Sequence, residues 1–208
     1  WGFAKNGTGG VTAAIASSAR AIGAEVRTNA SVAHVIVKNG RAAGVALENG
    51  DELRANVVMS AADPKRSFLS FVEAKHFPPE FVEQIKNFRV RGSSGKVNIA
   101  LSGLPDFTCL PGESPLHKGA ISISPSIDYI ERAYDEAKYG QFSTNPYIDM
   151  IIPSMIDRDM APPGHHVMSC FVQYAPYDIE GGWDDAKRDA FGETVINTIE
   201  RYAPNIRK

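Results

Sequence analysis

Two Asn-Gly pairs, Asn39-Gly40 and Asn49-Gly50, constrain this chain more than any other feature. Each lies between short runs rich in Val, Ile, Ala and Leu. Both central positions of a type I′ turn need positive φ, which Asn and Gly tolerate best, so each pair predicts a tight hairpin. Residues 23–64 must then leave a helix and cross several short strands. The spacing predicts strands at 25–28, 32–37, 42–47, 51–55 and 57–60, a β-meander after a helix. The helix is read from Val11, Ala14, Ile15, Ser18, Ala19 and Ile22, which share one face at 3.6 spacing. Residues 6–10 precede it as a flexible loop, and Gly23 suits its C-terminal cap. Its apolar side is made of small residues, fit for close packing on a sheet.

Pro64 can open the next helix, toward Val72. Past Pro78-Pro79 the texture changes. A short amphipathic helix carries Phe81, Val82, Ile85 and Phe88. Strands are predicted at 96–101, 120–124, 148–152 and 166–174. Ser124-Pro125 caps a helix bearing Ile127, Ile130, Ala133, Tyr134 and Ala137. The last helix starts near Asp184-Asp185 and aligns Phe191, Val195, Ile199 and Tyr202. The best single boundary falls between 64 and 80, giving a first part at 1–64 and a second at 65–208. The class is α/β passing into α+β.

Hydrophobic residues make up 43% and charged residues 22%, the balance of a globular protein. A net charge of -2 gives no reason to expect nucleic acid or an anionic membrane as partner. No apolar run approaches the ~20 residues that cross a bilayer. The start at Trp1 has neither initiator Met nor an apolar leader, and the chain reads as an internal piece of a longer protein. Cys109 and Cys170 lack the spacing of a disulphide framework or zinc site, so no metal is expected. Reduced cysteines point to the cytoplasm, or to the mitochondrial matrix if the source is eukaryotic.

Gly7-Thr-Gly-Gly-Val-Thr12 before a helix suggests a phosphate cradle. It fails its context: the third fingerprint position is Thr12, and about twenty residues on there is no ribose-binding acid. A glycine-rich turn is the better reading. His165 and His166 would point to opposite faces of a strand and cannot share a metal. His34 reads as a sheet-surface residue, and His76 and His117 as loop residues without partners nearby in sequence. Gly92-Ser-Ser-Gly95 lacks nucleophile-elbow spacing. Asp184-Asp185 reads as a helix start, where negative charge complements the dipole. Tyr129, Tyr134, Tyr139, Tyr147, Tyr174 and Tyr177 could line a pocket or simply pack. If there is a pocket, Lys96, Ser122, Ser124 and Tyr174 are the candidates for its wall.

The closing strand Val57-Val-Met-Ser-Ala-Ala-Asp-Pro64 after the meander resembles the phytoene-desaturase-related FAD-dependent oxidoreductases. So do Gly9-Gly-Val-Thr-Ala-Ala-Ile-Ala16, Gly23-Ala-Glu-Val-Arg-Thr28 and Gly40-Arg-Ala-Ala-Gly-Val45. Ser124-Pro-Ser-Ile-Asp-Tyr-Ile-Glu-Arg-Ala133, Ile152-Pro-Ser154 and Gln173-Tyr-Ala-Pro-Tyr177 point to a narrower branch. The resemblance implies a two-domain flavoprotein, with a Rossmann-type FAD domain and a substrate domain on an antiparallel sheet. It implies that Val32 contacts the adenine of FAD, followed as candidates by Ser60, Ala61 and Ala62, then Gly9 and Gly10 near the flavin. The expected activity is hydride removal from a small apolar or amphipathic substrate, with no catalytic acid or base nominated. The alternative is a non-catalytic flavoprotein-like scaffold for protein interaction. The 208 residues contain no Gly-x-Gly-x-x-Gly and no closing Gly-Asp segment of the family type. By themselves they are therefore expected to hold FAD weakly or not at all.

Overall fold

The structure, a computed structural model, describes residues 2–208, so Trp1 lies outside it. The architecture is mixed α/β with two antiparallel sheets. The residues fall into two compact units: those up to Ser18 together with 91–208, and residues 19–90.

In the smaller unit, β1 (Val32–Lys38), β2 (Arg41–Leu47) and β3 (Glu52–Arg54) pair in that order. Asn39 and Gly40 both have positive φ, at 51° and 73°, and Lys38 pairs with Arg41 across them, the two-residue turn expected. The second turn is different. Only Gly50 has positive φ, and Leu47 N–H donates to the Asp51 carbonyl at 2.8 Å. The loop therefore holds three residues and ends on a left-handed glycine, while Asn49 Oδ1 accepts from Asp51 N–H.

The strands predicted at 25–28 and 57–60 do not form. A strand needs a neighbour for its backbone donors and acceptors, and neither segment pairs among the described residues. Met59 is 92% exposed. Helical turns do start at Pro64, and Arg66–Ser70 is wound as a π-helix. Phe71 carbonyl accepts from Val35 N–H at 2.7 Å, tying this segment to the meander. Phe68, Phe77 and Phe81 pack mutually at 5.2–5.6 Å between centroids, and α2 (Pro79–Asn87) buries Ile85. These contacts hold residues 64–90 in one compact unit with the meander.

In the larger unit, β4 (Ser94–Leu101), β5 (Ile121–Ile123), β6 (Tyr147–Ile151) and β7 (His166–Gln173) form an antiparallel sheet of order β4-β7-β6-β5. One face is apolar in every strand and carries Leu101, Ile123, Ile148, Met150, Met168, Cys170 and Val172. Phe191, Val195 and Ile199 of α4 (Asp185–Glu200) join the same core. Gly95 is required there, because a Cβ on it would stand 2.5 Å from the Phe191 ring. Asp184 Oδ1 accepts from Lys187 N–H and caps α4, as its position suggested. Burial pushes the Cys170 thiol up to about 12, whereas Cys109 is exposed.

Three local expectations change. The cap of α3 (Ile127–Lys138) is Ser126, whose Oγ accepts from Tyr129 N–H, and not Ser124-Pro125. Residues 6–10 are not a flexible loop: α1 (Gly7–Ala21) starts at Gly7, and Gly10 is seated so close to the Lys5 carbonyl that a Cβ would lie 2.1 Å from it. Along α1 no residue is buried, so its apolar face packs on no sheet among the described residues. His117 is not a loop residue without partners. It is buried in a turn capped by Ser114, stacked on Phe107, with Nδ1 engaged by Ser114. No helix is long and apolar enough to cross a membrane, and no described cluster could hold a metal ion.

Candidate functional site

Cross-strand pairing places one row of side chains on the face of the four-stranded sheet opposite its core. Lys96 of β4 pairs with Phe171 of β7, Phe171 with Asp149 of β6, and Asp149 with Ser122 of β5. Directly paired residues share a face, so the four form a band across the sheet, about 14 Å long at the usual strand spacing. Ser122 Oγ donates to Asp149 Oδ1 at 2.7 Å, orienting the carboxylate. Phe171 is 42% exposed, a large ring left open between a cation and an anion. Beside the row, Ser169 Oγ donates to Asn98 Oδ1 at 2.9 Å. The face mixes polar side chains with apolar ones, Tyr147 and Ile151 of β6 and Val167 of β7 lying on it too, and among the described residues of this unit no helix covers it as α4 covers the other.

The sheet thus brings together two of the four predicted wall residues, Lys96 and Ser122. Ser124 follows Ser122 just beyond the end of β5 and is exposed. Tyr174 does not join the row. It follows β7, and its ring packs against Tyr134 of α3 at 5.1 Å. Asp149 and Phe171 were missed from the sequence. The signal for Asp149 was a lone acid between the apolar Ile148 and Met150; for Phe171 there was none without the register.

The smaller unit contains a cavity of about 440 Å³ walled by Val35, Val37, Ala42, Val58, Phe68, Phe71 and Phe77. Ser60 and Ala62 also line it. Ser60 Oγ and the buried Ser67 Oγ lie 2.7 Å apart, and Ala62 N–H donates to Ser60 Oγ. Ala61 is exposed and is not among the lining residues. Val32 begins β1 opposite Leu47, outside the lining, and a bulge follows it that leaves Ala33 unpaired. Gly9 and Gly10 fall in the other unit, in the first turns of α1.

Residues 2–204 match the family model described as flavin containing amine oxidoreductase. Over its full length the chain is 36% identical to pyridine nucleotide-disulfide oxidoreductase domain-containing protein 2 of Mus musculus and 37% identical to that of Rattus norvegicus, covering 37% of each relative. This is the branch to which the later sequence segments pointed. Over 94% of the chain it is 26% identical to the chloroplastic prolycopene isomerase of Daucus carota, covering 29% of that protein. The crystal structure of an oxidoreductase from Methanosarcina mazei shares the fold, with a TM-score of 0.64 at 18% identity over 94% of this chain and 39% of that one. The chain therefore spans less than two-fifths of the length of these curated relatives.

Proposed function

The chain belongs to the flavin containing amine oxidoreductase family, and from that premise we propose that the whole protein is an FAD-dependent oxidoreductase removing hydride from a small apolar or amphipathic substrate. In this reading the meander and the helix before it belong to the FAD-binding part. The four-stranded sheet with α3 and α4 belongs to the substrate part. When bound, the flavin supplies the redox chemistry, and the protein supplies orientation and a dry site.

The observation that carries the reading is the band Lys96, Phe171, Asp149 and Ser122 on a sheet face that no helix of this unit covers. Phe171 offers apolar area to a substrate body. Lys96 at one side and the Ser122–Asp149 pair at the other orient its polar groups. An amphipathic molecule suits this face better than a pure hydrocarbon, which would leave those polar groups desolvated and unpaired.

The residues present fit one end of FAD. The cavity at Ser60 and Ala62 is walled by apolar and aromatic side chains and suits a flat ring. The bulge after Val32 leaves backbone groups at Ala33 free of the β1–β2 ladder for a ligand to use. Ala61 stands beside that cavity in sequence, and Gly9 and Gly10 are assigned to the flavin side on the resemblance alone. The residues do not fit the pyrophosphate. Gly10 serves the chain's own turn against Lys5, and no dinucleotide fingerprint occurs in the 208 residues.

The test is to purify the full-length protein and measure its visible absorbance and its Tm with added FAD. Bound flavin and a raised Tm are expected. A colourless protein whose Tm ignores FAD overturns the proposal. Residues 1–208 alone are expected to take up no FAD, and a tight one-to-one complex would refute the account of the pyrophosphate site.

A further inference from the structure

We propose that the larger unit carries a second small-molecule site, for an oxyanion such as a phosphate ester or a carboxylate, held between Arg132 and Arg201. The site is independent of the flavin reading, because it lies wholly within residues 126–201. It is a cavity of about 560 Å³, a size ordinary for a metabolite. One wall is α3, which contributes Tyr129, Arg132 and Glu136. Asn145, just before β6, and Arg201, at the C-terminal cap of α4, complete it.

The hydrogen-bonding state of the wall selects the ligand. Arg201 Nη1 donates to Asn145 Oδ1 at 2.9 Å and Nη2 to Thr198 Oγ1 at 3.4 Å, both neutral acceptors. Those contacts aim the guanidinium without neutralising it. Arg132 makes no hydrogen bond or ion pair among the described residues, and no described carboxylate lies within 4.0 Å of either arginine. Glu136 keeps its charge but pairs with neither arginine, its two oxygens accepting from Thr144 N–H at 2.7 Å and Thr144 Oγ1 at 2.6 Å. The Tyr129 hydroxyl is likewise spent, donating to the Pro146 carbonyl at 2.9 Å, and burial raises its pKa so that it stays protonated. Asp128 and Glu136 are the two acids of the lining that oppose an incoming anion, the second held facing Thr144. Two planar forks of N–H donors beside an aromatic wall match the geometry of a carboxylate or phosphate. The helix that frames them carries the Ser-Pro-Ser-Ile-Asp-Tyr-Ile-Glu-Arg-Ala segment, for which the proposed redox function has no use.

The test uses the full-length protein, with inorganic phosphate and citrate as separate titrants in calorimetry at ionic strength fixed with sodium chloride. One of them should bind saturably at one site per chain, and which one does so identifies the ligand class. Arg132→Gln and Arg201→Gln should each weaken that binding by about tenfold or more, the loss of one charge-assisted pair. Asp128→Asn should tighten it, and flavin content should stay unchanged in all three. Circular dichroism checks folding; if Arg201→Gln unfolds, the exposed Arg132→Gln and Asp128→Asn pair still decides. Failure of both titrants to saturate, or unaltered binding in the Arg132 and Asp128 variants, overturns the site.

Discussion

The two sheets of this protein are built from similar residues but do different things with them. The four-stranded sheet closes the middle of one face: Ile148, Met150, Cys170, Val172, Val195 and Ile199 are all fully buried. The three-stranded meander buries Ala46 and Leu47, while Val32, Val35, Ile36 and Val37 stay half-exposed. Alternation is present in both. What separates them is a covering layer, since α4 lies on one sheet and nothing comparable within residues 19–90 lies on the other. Apolar pattern therefore sets where a core can be, and a second layer decides whether it exists.

The contrast breaks most directly at its centre. Ile199→Ala should cost about 2–5 kcal/mol in urea unfolding, a cavity in a closed core. Val35→Ala should cost well under half as much, because its site is already open to water. Equal losses would show that the meander is covered as tightly as the larger sheet. A smaller effect is expected at the seam between sheet and helix. Gly95→Ala must displace the Phe191 ring and should cost about 1–3 kcal/mol, with Phe191→Leu on the same background restoring part of it. No loss in Gly95→Ala would mean that α4 is free to shift away from β4.

The smallest effect depends on pH. Burial holds His166 below its usual 6.5, and its Nδ1 lies 3.1 Å from Ser154 Oγ. The folded state therefore favours the neutral ring, and the unfolded chain takes up the proton first. The stabilisation is complete above pH 6.5 and is lost as pH falls from there through the lower folded value. Thermal melts between pH 7.5 and 5 should show this decline, and His166→Asn should flatten it. A slope that survives the substitution assigns the effect to another group.

Much of this was legible from local chemistry. Asn39-Gly40 fixed one hairpin because both residues accept positive φ. Phe191, Val195 and Ile199 marked the buried face of α4 by spacing alone. Failures came where a partner decides the outcome. Residues 25–28 and 57–60 carry strand-like sequences, yet a strand exists only when another pairs with it. Asn49-Gly50 offered the same dipeptide as the first turn and took a three-residue loop, because Asn49 spent its side chain on Asp51 N–H. For the candidate site, Lys96 and Ser122 were found as isolated residues, while Asp149 and Phe171 between them required the β6–β7 register. No one-dimensional pattern encodes which residues stand opposite one another two strands away.

The placement of the two sulfurs makes the molecule its own clock. Cys109 is exposed, and Cys170 sits fully buried at the middle of the sheet with its thiol pushed up to about 12. Only a thiolate reacts quickly with an alkylating agent. Added iodoacetamide therefore reaches the exposed Cys109 directly and Cys170 only during excursions that part β7 from its neighbours. The delay between the two labels reads out how often the larger sheet comes open, without any dye, mutation or denaturant.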